Sequence, residues 1–224
     1  MERLAEGDRP APVVLLPSLR AWLGLTAVLG ALVVVVLGVL YADAGRSGTV
    51  DARIVAAVED VGPRGRQVAL ATDFLGEPMG AAALVAATVT GCLLLRRPRA
   101  AVLVVAAVGI TVATTRLLKH LVGRTIHGEE NLSYPSGHTG FLTALALVVA
   151  LLATGRFGLG RTAGVSLVLA AALAAGAAMG WAQVVLGAHY PTDVLGGWCT
   201  ALAVVPATAW LVDRISGDAR WQRR

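Results

Sequence analysis

Residues 133–155, "SYPSGHTGFLTALALVVALLATG", decide how this chain is read. The stretch opens on a Pro-Ser-Gly corner with His138 directly after it, then runs without a charged residue to Gly155. An apolar run of this kind suits a helix crossing about 30 Å of hydrocarbon, which takes roughly 20 residues. A second corner, "GAHYPTD" at 187–193, follows about fifty residues later and again lies between apolar runs. The sequence therefore poses one question: whether the two corners meet in space.

The rest of the chain repeats the pattern. Of its 224 residues 56% are hydrophobic and only 15% charged, and the mean hydropathy is +0.72. A soluble domain of this size needs more charged surface than that, and the short alternating strands of a membrane barrel are missing. Apolar blocks predict six spans, near residues 21–41, 79–95, 100–118, 139–155, 163–186 and 194–212. The second has an earlier start near Val68 if Gly76-Glu77-Pro78 is a break. Ala42-Asp43-Ala44 resembles a signal cleavage site, but the apolar core at 23–40 is too long for a signal peptide, so a retained helix is expected. The expected fold is an all-α polytopic membrane protein: an N-terminal segment 1–20, a six-helix domain 21–213 and a basic tail 214–224.

Arginines set the orientation. Arg3, Arg9 and Arg20 precede the first span; Arg96, Arg97 and Arg99 follow the second; Arg156 and Arg161 follow the fourth; Arg214, Arg220, Arg223 and Arg224 follow the sixth. Six spans put all of these on one side, which the positive-inside rule makes cytoplasmic, together with both termini. The net charge of +5 is thereby accounted for by topology, with no nucleic-acid partner called for. The other side receives a mixed loop at 43–67, the loop 119–136 and the His189 corner. Cys92 and Cys199, each inside an apolar run, read as small hydrophobes. Gly176 and Gly180 form a small-x-x-x-small pattern, expected to pack helices closely within the chain.

Most of the polar chemistry collects on that second side: Arg116, Lys119, His120, Arg124, His127, Ser136, His138, Gln183, His189 and Asp193, with all four histidines among them. Ionisable groups at membrane depth are costly and point to function; here they sit at helix ends, which argues against a path through the bilayer centre. A helix start offers unpaired amides and a positive dipole end to an anion. Gly137 lets an oxyanion approach the backbone, Ser136 can cap or donate a hydroxyl, and Lys119 and Arg124 are cations suited to phosphate. Two histidines can divide phosphoryl transfer, one attacking phosphorus and one protonating the leaving oxygen. His189 has Asp193 four residues on to orient its ring; His138 has no carboxylate beside it in sequence and suits the acid role. No metal or other cofactor is required. His127 reads as a loop residue, Glu129 and Glu130 as a solvated pair, Tyr190, Trp181 and Trp198 as packing or interface aromatics, and Glu77 as a cap on the second span without chemistry.

"PSGH" followed by "GAHYPTD" resembles the second and third signature motifs of the type-2 phosphatidic acid phosphatase family, integral lipid phosphate phosphatases related to vanadium haloperoxidases. The resemblance implies that His189 is the nucleophile with Asp193 its partner and that His138 is the general acid. It also implies that Lys119, Ser136 and Gly137 contact phosphate. The implied substrate is a lipid phosphate or diphosphate, such as a polyprenyl diphosphate, phosphatidylglycerol phosphate or phosphatidic acid, met at the outer leaflet of the plasma membrane.

The sequence departs from the family pattern twice. The first motif is Lys, six residues, then Arg-Pro, and Ile126 and His127 stand in the last two places. The third begins Ser-Arg, and Ala182-Gln183 stand there instead. A charge-assisted contact contributes about 1.5–3 kcal/mol, so Gln183, a neutral donor, and a nearby cation, Arg124 or else His127 or Arg116, are expected to make up part of the clamp. Two alternatives stay open: a lipid-phosphate binder of regulatory role with little catalysis, and transfer of the phosphoryl group to another acceptor. A transporter is disfavoured because no span carries a charge at mid-depth.

Overall fold

A computed structural model describes residues 14–58 and 60–221. After a 3-10 turn at Pro17–Leu19 come eight helices: α1 Arg20–Leu40, α2 Thr49–Val58, α3 Gly62–Phe74, α4 Pro78–Leu94, α5 Pro98–Val122, α6 Gly137–Phe157, α7 Arg161–Val185 and α8 Pro191–Trp221. No strand occurs among the described residues beyond one isolated bridge, Thr125 with Leu132. The chain is an all-α polytopic membrane protein. Five helical stretches, Pro17–Leu40, Pro98–Val122, Gly137–Phe157, Arg161–Val185 and Pro191–Ile215, are each long and apolar enough to cross a membrane. The expected second span is a bent pair, α3 with α4, which meet at 58°.

Two expectations need correction. Residues 43–67 are not a plain loop, because α2 and the first part of α3 form within them. Nor does the last helix stop near 212: α8 continues to Trp221, with Pro206 inside it. Arg3, Arg9, Arg223 and Arg224, and the side chain of Arg220, lie outside the described residues.

The bend between α3 and α4 follows from Gly76 and Pro78. Proline is favoured at the first position of a helix, where its missing N–H is one of the orphans anyway, and Pro78 starts α4 there. Gly76 lies against the His138 ring so closely that a Cβ at 76 would come within 2.2 Å of its Cδ2. The break is thus also a seat for a candidate catalytic side chain.

Lipid is the solvent of the bundle's exterior, so its outer faces are apolar and its inner faces are small. On α1, Val28, Leu32, Val35 and Val39 are exposed, whereas Gly30, Val34 and Gly38 are buried. Spaced four apart, these three share one helical face. A Cβ on Gly30 would meet the Cys199 carbonyl of α8 at 2.8 Å, and the Tyr134 hydroxyl donates to the Val34 carbonyl at 2.7 Å. Gly176 and Gly180 pack within the chain as expected, Gly176 against the Trp198 ring and Gly180 against Val194. Cys92 and Cys199 are buried free thiols. The N–H groups of Val14 and Leu15 both donate to the Asp213 carboxylate at 2.9 Å, which ties the start of α1 and the end of α8 to the same end of the bundle.

At the opposite end, α6 and α8 begin side by side. A Cβ on Gly197 would lie 2.2 Å from the Ser136 carbonyl oxygen, a backbone atom that cannot swing away. Gly197→Ala is accordingly expected to destabilise the protein by about 1–3 kcal/mol, the scale of overpacking in a tight interior, seen as a lower midpoint of thermal unfolding in detergent. An unchanged midpoint would show that the crossing is looser than drawn.

Candidate active site

The crossing of α6 and α8 answers the question posed by the two corners. The Ser136 N–H donates to the Asp193 carbonyl at 2.9 Å, so the Pro-Ser-Gly corner and the His189 corner are joined by a backbone hydrogen bond. Ser136 caps α6, its hydroxyl accepting from the Thr139 N–H at 3.4 Å and lying 3.0 Å from the Thr139 hydroxyl. Ser136 is completely buried, so its side chain serves the cap. The hydroxyl expected to contact phosphate is turned into the helix start. Gly137 opens the helix, half-buried, with room beside it as far as the Thr115 hydroxyl at 3.8 Å from a Cβ position.

His189 is 8% exposed. Its Nδ1 faces the Asp193 carboxylate at 3.7 Å, too far for a hydrogen bond, and that nitrogen has no other partner. Catalytic hydrogen bonds are often long before substrate binds and tighten in the complex. Asp193 is itself held on three sides. Its Oδ2 accepts from the Tyr190 N–H at 3.0 Å, the reach-back of an acid at the third helical position to the cap residue. Its Oδ1 accepts from Arg124 Nη1 at 2.6 Å, and the His189 ring occupies its third side.

Arg124 is the largest wholly buried side chain among the described residues. Nη2 donates to Asp51 Oδ2 at 2.7 Å, Nη1 to Asp193 and to the Thr192 hydroxyl at 2.6 Å each, and the guanidinium lies between the Tyr41 and Tyr190 rings at 4.0 and 4.5 Å from their centroids. Arg124, expected to contact phosphate, is turned to two carboxylates in this structure. Two carboxylates and two aromatic faces surround its charge, and its Nε, also buried, has no hydrogen-bond partner. Asp51, fully buried on α2, was not singled out from the sequence, where a lone acid in a mixed segment gives no cue.

Around His138 the sequence expectation also changes. Its Nε2 lies 3.7 Å from both Asp73 Oδ1 and Glu77 Oε1 and has no hydrogen-bond partner. His138 therefore has two carboxylates as neighbours, brought by the bend between α3 and α4, and Glu77 makes no side-chain capping bond at the start of α4. Gln183, 1% exposed, donates through Nε2 to Asp73 Oδ1 at 2.5 Å. Its amide, expected to face phosphate, is turned to a carboxylate. The signal that could have found this pair was in view: Asp73 and Glu77 are four apart across the Gly-Pro break, and a glutamine in an arginine's place invites the search for a compensating acid. Asp73, Glu77 and His138 each bring one ligand atom within 4.8 Å of the others, a set with the donor types of a divalent cation site.

Lys119, near the end of α5, donates to the carbonyls of Leu132 at 2.5 Å and Ser133 at 3.5 Å, which fixes its ammonium beside the corner. Ile126, where the family motif has arginine, is buried. His127 takes a positive φ of 59° and pairs through Nε2 with the Gly187 carbonyl at 2.8 Å, tying the 123–136 loop to the His189 corner. Arg116, His120, Glu129 and Glu130 are exposed.

Fold and side-chain geometry together describe a polytopic helical membrane protein with imidazoles beside carboxylates where helix ends converge. The sequence profile of the PAP2 superfamily matches residues 100–216, from α5 into α8, and the chain belongs to that superfamily, the type-2 phosphatidic acid phosphatases. Among solved structures it is similar to a transmembrane PAP2 type phosphatidylglycerolphosphate phosphatase from Bacillus subtilis, with a TM-score of 0.67, 21% identity, and coverage of 86% of this chain and 96% of that one. At that identity the likeness is one of fold. No curated protein matches.

Burial holds the His189 imidazole below its ordinary value of 6.5; Asp193 opposes this, and the charges of Lys119 and His138 add to it. An attacking imidazole must be neutral, so activity should fall only when acid protonates it. The acid limb of kcat/KM against pH is expected below 6.5 for this reason, as a pH series of initial rates would show. A limb at or above 6.5 would contradict the assignment of that limb to His189.

Proposed function

We propose that this protein is a phosphatase acting on a membrane lipid phosphate or diphosphate through a phosphohistidine on His189, at the extracytoplasmic face of the plasma membrane. The single observation that supports it most is the joining of the two corners, Ser136 N–H to Asp193 carbonyl, with Asp193, Lys119 and His138 all close enough to act electrostatically on His189. The arginine placement along the sequence supports the side of the membrane, and membership of the PAP2 superfamily supports the reaction class. The fold neighbour is a phosphatidylglycerolphosphate phosphatase. That lipid, phosphatidic acid and a polyprenyl diphosphate are the substrates proposed here.

With Nδ1 turned to Asp193, the free Nε2 of His189 attacks phosphorus. The bond to the leaving oxygen breaks as His138 gives that oxygen its proton. Non-bridging oxygens rest against Lys119 and the first amides of α6. His138, now a base, takes a proton from water as the water attacks the phosphohistidine; phosphate leaves and His189 is restored. An alcohol in place of water gives transfer rather than hydrolysis.

Purified protein in detergent, offered each of the three lipids, is expected to release phosphate. His189→Ala should remove that release and His138→Ala should cut it by about 10²–10⁴-fold, the range of general acid catalysis. Turnover is expected to persist in EDTA; loss in EDTA with recovery on adding Mn²⁺ would assign the charge role to a cation at Asp73, Glu77 and His138. One observation favours a second reading, a lipid-phosphate binder with little turnover: Arg124 and Gln183, the expected clamp, both face carboxylates. Saturable lipid binding with no phosphate release from any of the three would establish that reading instead.

A further inference from the structure

The buried ion cluster behind His189 contains one cation and two anions. Arg124, Asp51 and Asp193 are all fully buried, so the group carries one net negative charge in a region of low dielectric, where unbalanced charge is expensive. Asp193 faces His189, and a positive imidazole or a developing positive charge on it offsets that excess. How Arg124 is shared therefore decides how negative Asp193 looks from the ring.

We infer that Asp51 is a positioning residue for the reaction: by occupying Arg124 it leaves the Asp193 charge free to act on His189, and by holding the first turn of α8 it aims that carboxylate. The inference rests on the assignment of His189 as nucleophile. Both halves have a geometric basis. Arg124 presents Nη2 to Asp51 and Nη1 to Asp193, one fork arm to each carboxylate. Without Asp51, the guanidinium and Asp193 form a neutral pair, and the ring faces a dipole where it had faced a charge. Asp51 also caps α8 from another helix. Its Oδ1 accepts from the Thr192 N–H and its Oδ2 from the Thr192 hydroxyl, each at 2.9 Å. That N–H is one of the orphan donors of the helix start, and Thr192 directly precedes Asp193 in the chain.

Charged groups face His189 from several elements, and each bears on its titration. Asp193 lies on α8, Lys119 on α5 and His138 on α6. Asp73 of α3 and Glu77, just before α4, lie beyond His138, while Arg124 and Asp51 lie behind Asp193. Asp51→Asn is nearly isosteric and acts on the last of these alone, so a change in the ring's proton affinity reports on the charge and cap that Asp51 supplies behind Asp193.

The test is a histidine NMR titration of the full chain in detergent micelles, with ¹⁵N-labelled histidine and His189 identified by its substitution. Asp51→Asn is expected to lower the His189 pKa by about one unit, the effect of one charge roughly 12 Å away in a medium of effective dielectric near 20. The acid limb of kcat/KM should move the same way. The double variant Asp51→Asn with Arg124→Met removes one charge of each sign and is expected to bring the His189 titration back toward wild type, which keeps the test alive if the single variant folds poorly. A His189 titration that stays in place in Asp51→Asn while thermal unfolding shifts down would reduce Asp51 to a structural role and overturn the inference. The titration needs no turnover, so a protein that releases no phosphate yet shows the shift would fail the phosphatase reading while keeping the electrostatic link.

Discussion

A guanidinium with no access to solvent governs the end of this bundle where α6 and α8 begin. Buried charge is tolerated only when paired and hydrogen-bonded, and Arg124 satisfies that by drawing in parts of the chain far apart in sequence: Asp51 from α2, Thr192 and Asp193 from α8, and the rings of Tyr41 and Tyr190. Removing one partner of such a cluster leaves the others unpaired, at a typical cost of about 3–5 kcal/mol. The cluster has one outlet toward the pocket, the oxygen of Asp193 that faces His189. Structure and chemistry thus share a single set of contacts.

A second constraint is steric. The starts of α6 and α8 approach until the Gly197 backbone touches Ser136, and only that approach lets the Ser136 N–H reach the Asp193 carbonyl. The bend between α3 and α4 completes the enclosure, because Gly76 leaves room for the His138 ring and brings Asp73 and Glu77 beside it. The pocket is therefore richer in carboxylate than its motifs suggest. Where the family pattern has an arginine, Gln183 donates to Asp73, so the neutral residue and the nearby acid form a matched pair.

Much of this was legible beforehand. The spans near 100–118, 139–155 and 163–186 fall within α5, α6 and α7 or end beside them, because a run of apolar residues long enough for hydrocarbon has few other uses. The break at Gly76-Glu77-Pro78 was readable from proline and glycine, and the cap at Ser136 from the residue before a helix. Residues 43–67 were misread as loop: α2 and α3 are short and only partly apolar, and what holds α2 is a buried contact of Asp51 rather than its own periodicity.

By itself the sequence determined the class of protein, the approximate spans and the two histidine corners, since hydropathy and local corner chemistry act over a few neighbouring residues. Only the tertiary structure decided the partners of each charge. Arg124 and Gln183 look like phosphate ligands along the chain and face carboxylates in space; Asp51 carries no local mark, and Asp73 and Glu77 only their spacing across the Gly-Pro break. The physical reason is that an ion pair depends on distance between side chains, and α2, α3 and α8 lie far apart along the polypeptide until the helices pack.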